Sequence, residues 1–227
     1  AYSGGFTLKD IDTLLKESKK IHFIGIGGAG MCPIAEILLS LGYKLTGSDN
    51  NDTETFRRIE REGAKVFLGQ KPSNISDDTE LVIYTNAILK GNEELEYAKK
   101  NFPCFERAEA LGALSRVFSN CIGVCGTHGK TTTTSMISVC FMEAHKDPTV
   151  QVGAILKQID GNYRVGNSEY FILESCEYVE SFLKFHPRTE VILNIDNDHL
   201  DYFKDLEHIK NAFVYYFLIT TFIKLIY

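Results

Sequence analysis

The 227-residue chain has no surplus of positive charge: 24 lysines and arginines stand against 30 aspartates and glutamates, for a net charge of −6. Such a balance offers no general electrostatic grip on nucleic acid or an anionic membrane. Any phosphate ligand must be held by local backbone N–H groups and a few placed cations. The sequence also lacks a CxxC pair. Its cysteines, Cys32, Cys104, Cys121, Cys125, Cys140 and Cys176, are scattered, which argues against a disulfide framework or a zinc site and for reduced thiols in the cytoplasm. No basic stretch followed by an apolar run opens the chain, so no secretory signal is expected, and AYSGG is set aside from the fold reading. Internal repeats and low-complexity segments are absent as well.

What is present is material for a core. Hydrophobic residues make up 44% against 24% charged, over a length that suits two domains. Short apolar runs at 21–26, 43–49, 64–69, 81–85 and 103–106 alternate with helical patterns at 7–18, 29–42, 53–62, 92–101 and 107–117. A second series begins with the strand NCIGVC and a helix over 130–145, followed by strands at 170–174 and 190–195. Buried strands alternating with helices predict an α/β chain of two doubly wound parallel sheets. The expected domains are 1–118 and 119–227.

Each series opens on a glycine loop. GIGGAG (25–30) follows a strand, opens a helix, and has Asp49 at the end of the next strand. That context predicts a pyrophosphate-bearing ligand at a helix N-terminus, a dinucleotide or a UDP-sugar, with a purely packing turn as the alternative. The second loop, GTHGKT (126–131), is shorter than GxxxxGK[ST], because Val124 stands where the first glycine would be. Its chemistry survives: backbone N–H groups cradle phosphate, Lys130 supplies a cation, and the Thr131 hydroxyl can reach magnesium. Glu174 ends an apolar strand with Glu177 three residues on, and Asp196, Asp198, His199 and Asp201 crowd NIDNDHLDYF (194–203). Strand-end carboxylates lie where ligands bind in such sheets.

HFIGIGGAGM, GTHGKTTTTSM, DPT (147–149), Glu174 and NIDNDHLDYF together resemble the Mur ligases, over residues 19–214. The likeness is strongest to the branch that joins L-alanine to UDP-N-acetylmuramate, with the murein-peptide recycling branch as the alternative. The resemblance implies a Rossmann-like UDP-sugar-binding domain followed by an incomplete P-loop-type ATP-binding domain. It implies ATP and magnesium, or manganese in its place, and a reaction through an acyl phosphate. By that likeness Gly25, Gly27, Gly28, Ala29, Gly30, Asp49, Thr85 and Asn86 hold the UDP-sugar. Gly126, Thr127, His128, Gly129, Lys130, Thr131 and Thr132 hold ATP. Lys130, Glu174 and His199 are the catalytic expectations, Thr131, Glu174 and His199 face the metal, and Asn194 and Asp198 support them. His128 either contacts a ligand or caps its loop. Two positions depart from the family pattern, ESCEYV (174–179) and Gln70.

The resemblance fades after residue 214, and YYFLITTFIKLIY (215–227) carries only Lys224 as a charge. A truncated or frame-shifted end is the reading preferred, with an apolar helix lying on the sheet as the alternative; exposed apolar surface there is expected to favour self-association. Without the family's third domain, the chain is expected to be inactive alone. A non-catalytic nucleotide-binding module and an NAD-linked oxidoreductase are the competing functions, and the second leaves GTHGKTTTT unexplained.

Overall fold

The computed structural model describes residues 10–175, 178–198 and 202–219. The chain forms two compact units, Ala1–Ala113 and Leu114–Tyr227.

In the first unit the order is α1 (Ile11–Glu17), β1 (Lys20–Ile24), α2 (Cys32–Ser40), β2 (Lys44–Asp49), α3 (Glu54–Arg61), β3 (Lys65–Leu68), β4 (Leu81–Tyr84), α4 (Glu93–Asn101) and β5 (Cys104–Glu106), and α5 (Arg107–Val117) contains the dividing point. The sheet is parallel throughout, in the order β3-β2-β1-β4-β5. Ile21, Phe23 and Ile24 of β1 and Leu81, Val82 and Ile83 of β4 are buried, as expected of strands covered on both faces. Three helices start where the sequence offers a short polar acceptor: Asp10, Thr53 and Asn92 accept from the N–H groups of Thr13, Phe56 and Leu95.

His22 and Glu94 are both buried, and Glu94 is satisfied three ways. Its Oε1 lies 3.2 Å from His22 Nε2 and accepts from Asn74 Nδ2 at 3.1 Å, while its Oε2 accepts from the Ser48 hydroxyl at 2.6 Å. A buried carboxylate is tolerated when it collects donors in this way. The network ties β1, β2 and α4 together and steadies the end of β2.

The second unit runs β6 (Asn120–Cys125), α6 (Lys130–Glu143), β7 (Thr149–Leu156), β8 (Gly161–Arg164), β9 (Tyr170–Glu174), β10 (Thr189–Ile192) and α7 (Leu206–Ile219). Its sheet order is β10-β6-β9-β7-β8, parallel except for an antiparallel β8 at the edge. The β7–β8 hairpin has no counterpart among the expected elements. β7 loses register between Gln151 and Leu156 and is exposed from Gly153 to Ile155, so it carries no clean alternation. β10 ends at Ile192, short of the expected 195: Leu193 N–H still donates to Cys125 C=O at the end of β6, at 3.1 Å, and the Asn194 carbonyl then accepts from Thr127 N–H in the loop after β6, at 3.1 Å.

Residues 215–219 continue α7, so the helical alternative describes that part of the tail; residues 220–227 lie outside the described residues. Ile209, Ala212, Phe213 and Tyr216 are buried, with the Phe182 ring centre 5.0 Å from that of Phe213, edge-on, and 4.5 Å from that of Tyr216, tilted. Val214, Tyr215 and Leu218 remain exposed. Among the described residues no helix is long and apolar enough to cross a membrane.

Tyr216 donates at 2.8 Å to Oε2 of Glu190, a fully buried residue of β10 whose Oε1 has no hydrogen-bond partner among the described residues. Burial pushes the Glu190 carboxyl up to about 7, against the opposing pull of the Tyr216 hydrogen bond. A carboxyl whose folded-state pKa is raised stabilises the fold fully below its unfolded pKa, and that stabilisation is lost as pH climbs through about 7. The difference between the two states is on the order of 3 kcal/mol. Glu190→Gln is therefore expected to match the wild type near pH 5 and to exceed it in thermal stability at pH 8. Parallel melting curves for the two proteins across that range would exclude the assignment.

Candidate functional site

In a doubly wound sheet the ligand crevice opens where neighbouring strands lead off in opposite directions, at their C-terminal ends. In the first unit that place lies between β1 and β4. Gly25 and Ile26 leave β1 with their N–H groups on the Ser48 carbonyl, at 2.8 and 3.0 Å. Gly25 has φ +88°, and a Cβ there would stand 2.6 Å from Thr85 Cγ2, so only glycine allows Thr85 to close against the loop. The Asp49 carboxylate accepts from Gly27 N–H at 3.0 Å and from Asn51 N–H at 3.0 Å, making it a clamp on the loop. Ala29 is exposed at the crest, between Gly28 and Gly30. Asn86 donates to Glu106 at 3.1 Å, which ties the ends of β4 and β5. Gln70 is held in turn by Asn50 and Asn92, at 3.1 and 2.6 Å.

Arg107 was not among the expected site residues. As the first residue of α5 it lies over Gly30, with Nε and Nη1 3.4 Å from where a Cβ of Gly30 would be. A cation beside a glycine loop completes an anion site. The only sequence signal for it is a helix opening on arginine straight after a strand of the same sheet.

The second loop is stapled at its back. Gly126 has φ +130° and passes so close to Asn194 that a Cβ would lie 3.0 Å from both its N and O. Asn194 makes a two-way amide clamp with His128, accepting from its N–H at 2.8 Å and donating to its carbonyl at 2.9 Å. Thr127 N–H donates to Asn194 C=O, and the Thr127 hydroxyl accepts from Asp196 N–H at 2.9 Å. Lys130 curls over the loop, Nζ donating to the carbonyls of Gly126 at 2.6 Å and Thr127 at 3.2 Å. The His128 ring is exposed, 3.9 Å from the Asp196 carboxylate.

α2 and α6, the helices that follow the glycine loops, have no side-chain cap, unlike α1, α3 and α4. Gly129 opens α6 in the left-handed region, leaving the first N–H groups directed to the loop side. The hydroxyl-rich start of α6 has a structural part too: Thr134 bonds Lys130 C=O at 2.8 Å and Ser138 bonds Thr134 C=O at 2.7 Å. Thr131 is half-buried and Thr132 exposed, at the loop end of the helix.

Glu174 ends β9 in register with Val124 of β6, which brings it to the same sheet edge as the loop. Its Oε1 accepts from Gly153 N–H at 2.6 Å. His199, Glu177 and Asp201 lie outside the described residues. Among the described residues no cluster of three His, Cys, Asp or Glu side chains forms a metal cage. The donors present, a threonine hydroxyl and a carboxylate, are hard oxygens. They suit magnesium, or manganese, shared with nucleotide phosphates, since such ions take few protein ligands.

Residues 20–119 match the sequence model of the Mur ligase family catalytic domain, and residues 124–218 that of the Mur ligase middle domain. The chain is 56% identical over 199 residues to a UDP-N-acetylmuramate–L-alanine ligase of Clostridium kluyveri, covering 87% of this chain and 44% of that protein. It is 51% identical to the ligase of the same name from Clostridium perfringens, covering 88% and 44%. Among solved structures, the UDP-N-acetylmuramate–alanine ligase of Thermotoga maritima superposes with a TM-score of 0.77 at 32% identity, over 91% of this chain and 48% of that one. The UDP-N-acetylmuramate:L-alanyl-γ-D-glutamyl-meso-diaminopimelate ligase of Neisseria meningitides gives 0.78 at 26%, over 89% and 68%. The chain thus spans less than half the length of these curated relatives.

The two loops make different demands on their glycines. Gly129→Ala meets nothing nearer than Leu193 Cδ1 at 3.5 Å, so its cost is the left-handed backbone alone, about 1–2 kcal/mol. Gly25→Ala adds displacement of Thr85, and urea denaturation is expected to show the larger loss there. Equal losses would contradict the close approach.

Proposed function

The chain belongs to the Mur ligase family, and from that footing we propose that it forms the sugar-nucleotide unit and ATP-loop unit of a cytoplasmic ligase joining L-alanine to UDP-N-acetylmuramate. The observation that carries this reading is the pair of glycine loops, each at a C-terminal sheet edge and each feeding a helix without a side-chain cap.

In the first unit the turn of Gly25, Gly27, Gly28, Ala29 and Gly30 receives the pyrophosphate at its Ala29–Gly30 crest, the N–H groups of Gly25, Gly27 and Gly28 being taken by Ser48, Asp49 and the Gly25 carbonyl, with Arg107 as counter-charge and Thr85 and Asn86 along the wall. Asp49 acts by holding Gly27 in place. In the second, ATP phosphates lie in the loop of Gly126, Thr127, His128 and Gly129 against the N–H groups from Gly129 to Thr132, since those of Thr127 and His128 are held by Asn194, and Lys130 exchanges its loop carbonyls for phosphate oxygens. Thr131 and Glu174 would hold magnesium, which when bound neutralises phosphate charge; His199 and Asp198 are proposed as further support.

The muramate carboxylate attacks the γ-phosphorus, the bond to the β-phosphate oxygen breaks, and ADP leaves. The alanine amine then attacks the acyl carbon of the resulting acyl phosphate, inorganic phosphate departs, and the nitrogen loses a proton as the amide forms. Lys130 contributes by neutralising charge on the migrating phosphoryl group, and the rigid loop by positioning it. The 227-residue chain taken alone is expected to bind both nucleotides without turnover. The exposed Val214, Tyr215 and Leu218 favour self-association.

Calorimetric titration tests these roles separately. Lys130→Ala is expected to weaken ATP binding at least about tenfold, the scale of a lost charged hydrogen bond, and to leave UDP-N-acetylmuramate unaffected. Arg107→Ala is expected to do the reverse. Release of phosphate by the isolated chain with ATP, UDP-N-acetylmuramate and L-alanine would overturn the inactivity, and a preference for a tripeptide over L-alanine in a longer form of the protein would favour the recycling reaction.

A further inference from the structure

The edge of the first sheet away from the glycine loop carries an unusual arrangement of charge. Lys20 of β1 pairs in register with Lys44 of β2, and Thr46 of β2 pairs with Lys65 of β3. Register partners on parallel strands share a face, and so do residues two apart on one strand. Lys20, Lys44 and Lys65 therefore rise from the same face of three adjacent strands, about 4.8 Å from strand to strand. They border a cavity of about 390 Å³, together with Tyr43, Asp78 and Thr79.

Like charges opposite one another across strands are destabilising, and this chain is acidic overall, so general basicity does not explain them. One carboxylate lines the cavity, Asp78, and it is ion-paired to Lys20. Nearby Glu80 is engaged by the backbone N–H groups of Lys19 and Lys20. Lys44 and Lys65 have no carboxylate partner among the described residues; the Lys65 ammonium lies 5.2 Å from the Phe67 ring centre. Lys44 and Lys65 thus both line the pocket without a carboxylate partner among the described residues.

We propose that this cavity is a second anion site, separate from both glycine loops, and that it takes a compact oligophosphate group. Lysine suits such a ligand because each ammonium is a compact charge with three rotatable donors, able to follow phosphoryl oxygens in several geometries. The volume falls within the range of small-molecule pockets. Lys20 is five residues from Gly25 along an extended strand, roughly 16 Å, so one small ligand does not reach both places.

The probe is inorganic tripolyphosphate, titrated calorimetrically into the full chain. Because tripolyphosphate also suits the glycine loops, two double variants separate the sites. Lys44→Ala/Lys65→Ala is expected to lose one class of binding by tenfold or more, and Lys130→Ala/Arg107→Ala to retain it. All four side chains stay near the surface, and circular dichroism spectra checked against the wild type report on folding. The lysine-edge site should also weaken steeply with added salt. Superimposable titrations of the wild type and Lys44→Ala/Lys65→Ala would overturn the proposal, as would a signal abolished entirely by Lys130→Ala/Arg107→Ala. Neither outcome overturns the ligase reading, which rests on the two glycine loops.

Discussion

A parallel strand that ends in a glycine turn and runs into a helix leaves backbone N–H groups that nothing in the strand or the helix can satisfy. Both units are organised around that constraint. β1 and β6 are the first strand of each sheet, lie inside it, and end in such a turn. Positive φ at Gly25, Gly126 and Gly129 makes the turns possible. Elsewhere the chain meets the same need with Asp10, Thr53 or Asn92 as caps. At α2 and α6 no side chain caps the helix, the arrangement on which the proposed anion sites rest.

Rigidity comes from groups that hold the loops from behind. Asp49 holds the first loop through Gly27, and behind it the buried His22, Ser48 and Glu94 fix the strand on which Asp49 sits. Asn194 and Asp196, in the segment after β10, hold the second loop through His128 and Thr127. The clamps on the second loop use backbone amides and uncharged side chains, so its shape does not depend on Lys130. The Glu190–Tyr216 pair is a different case. It anchors α7 at the cost of a buried carboxyl, a weak way to gain stability and a strong way to make it depend on pH.

Much of this was legible beforehand. NCIGVC and YFILE match β6 and β9 residue for residue, and 107–117 matches α5, because long apolar periodicity bounded by polar residues leaves little choice. The β7–β8 hairpin was not legible. Its strand is interrupted by Gly153, half exposed, and out of register, so no single period runs through it. Tyr216 read as part of an odd tail, since only the folded sheet reveals that a buried glutamate waits opposite it. Arg107 looked like one basic residue at a helix start, with no spacing to link it to Gly30 seventy-seven positions earlier.

The sequence by itself determined the α/β character, the two glycine loops, and the identity of the groups that can meet phosphate. Those are local properties: a turn's need for glycine, a strand's need for apolar residues, and the charge of a lysine are settled within a few positions of chain. Only the tertiary structure decided which groups face the loops, which are spent as clamps, and which remain unpaired. Strand order and register bring Arg107 to Gly30, Asn194 to Gly126 and Lys20 beside Lys44 and Lys65. Separation along the chain carries no information about such meetings, because they arise from burying apolar faces on the sheets.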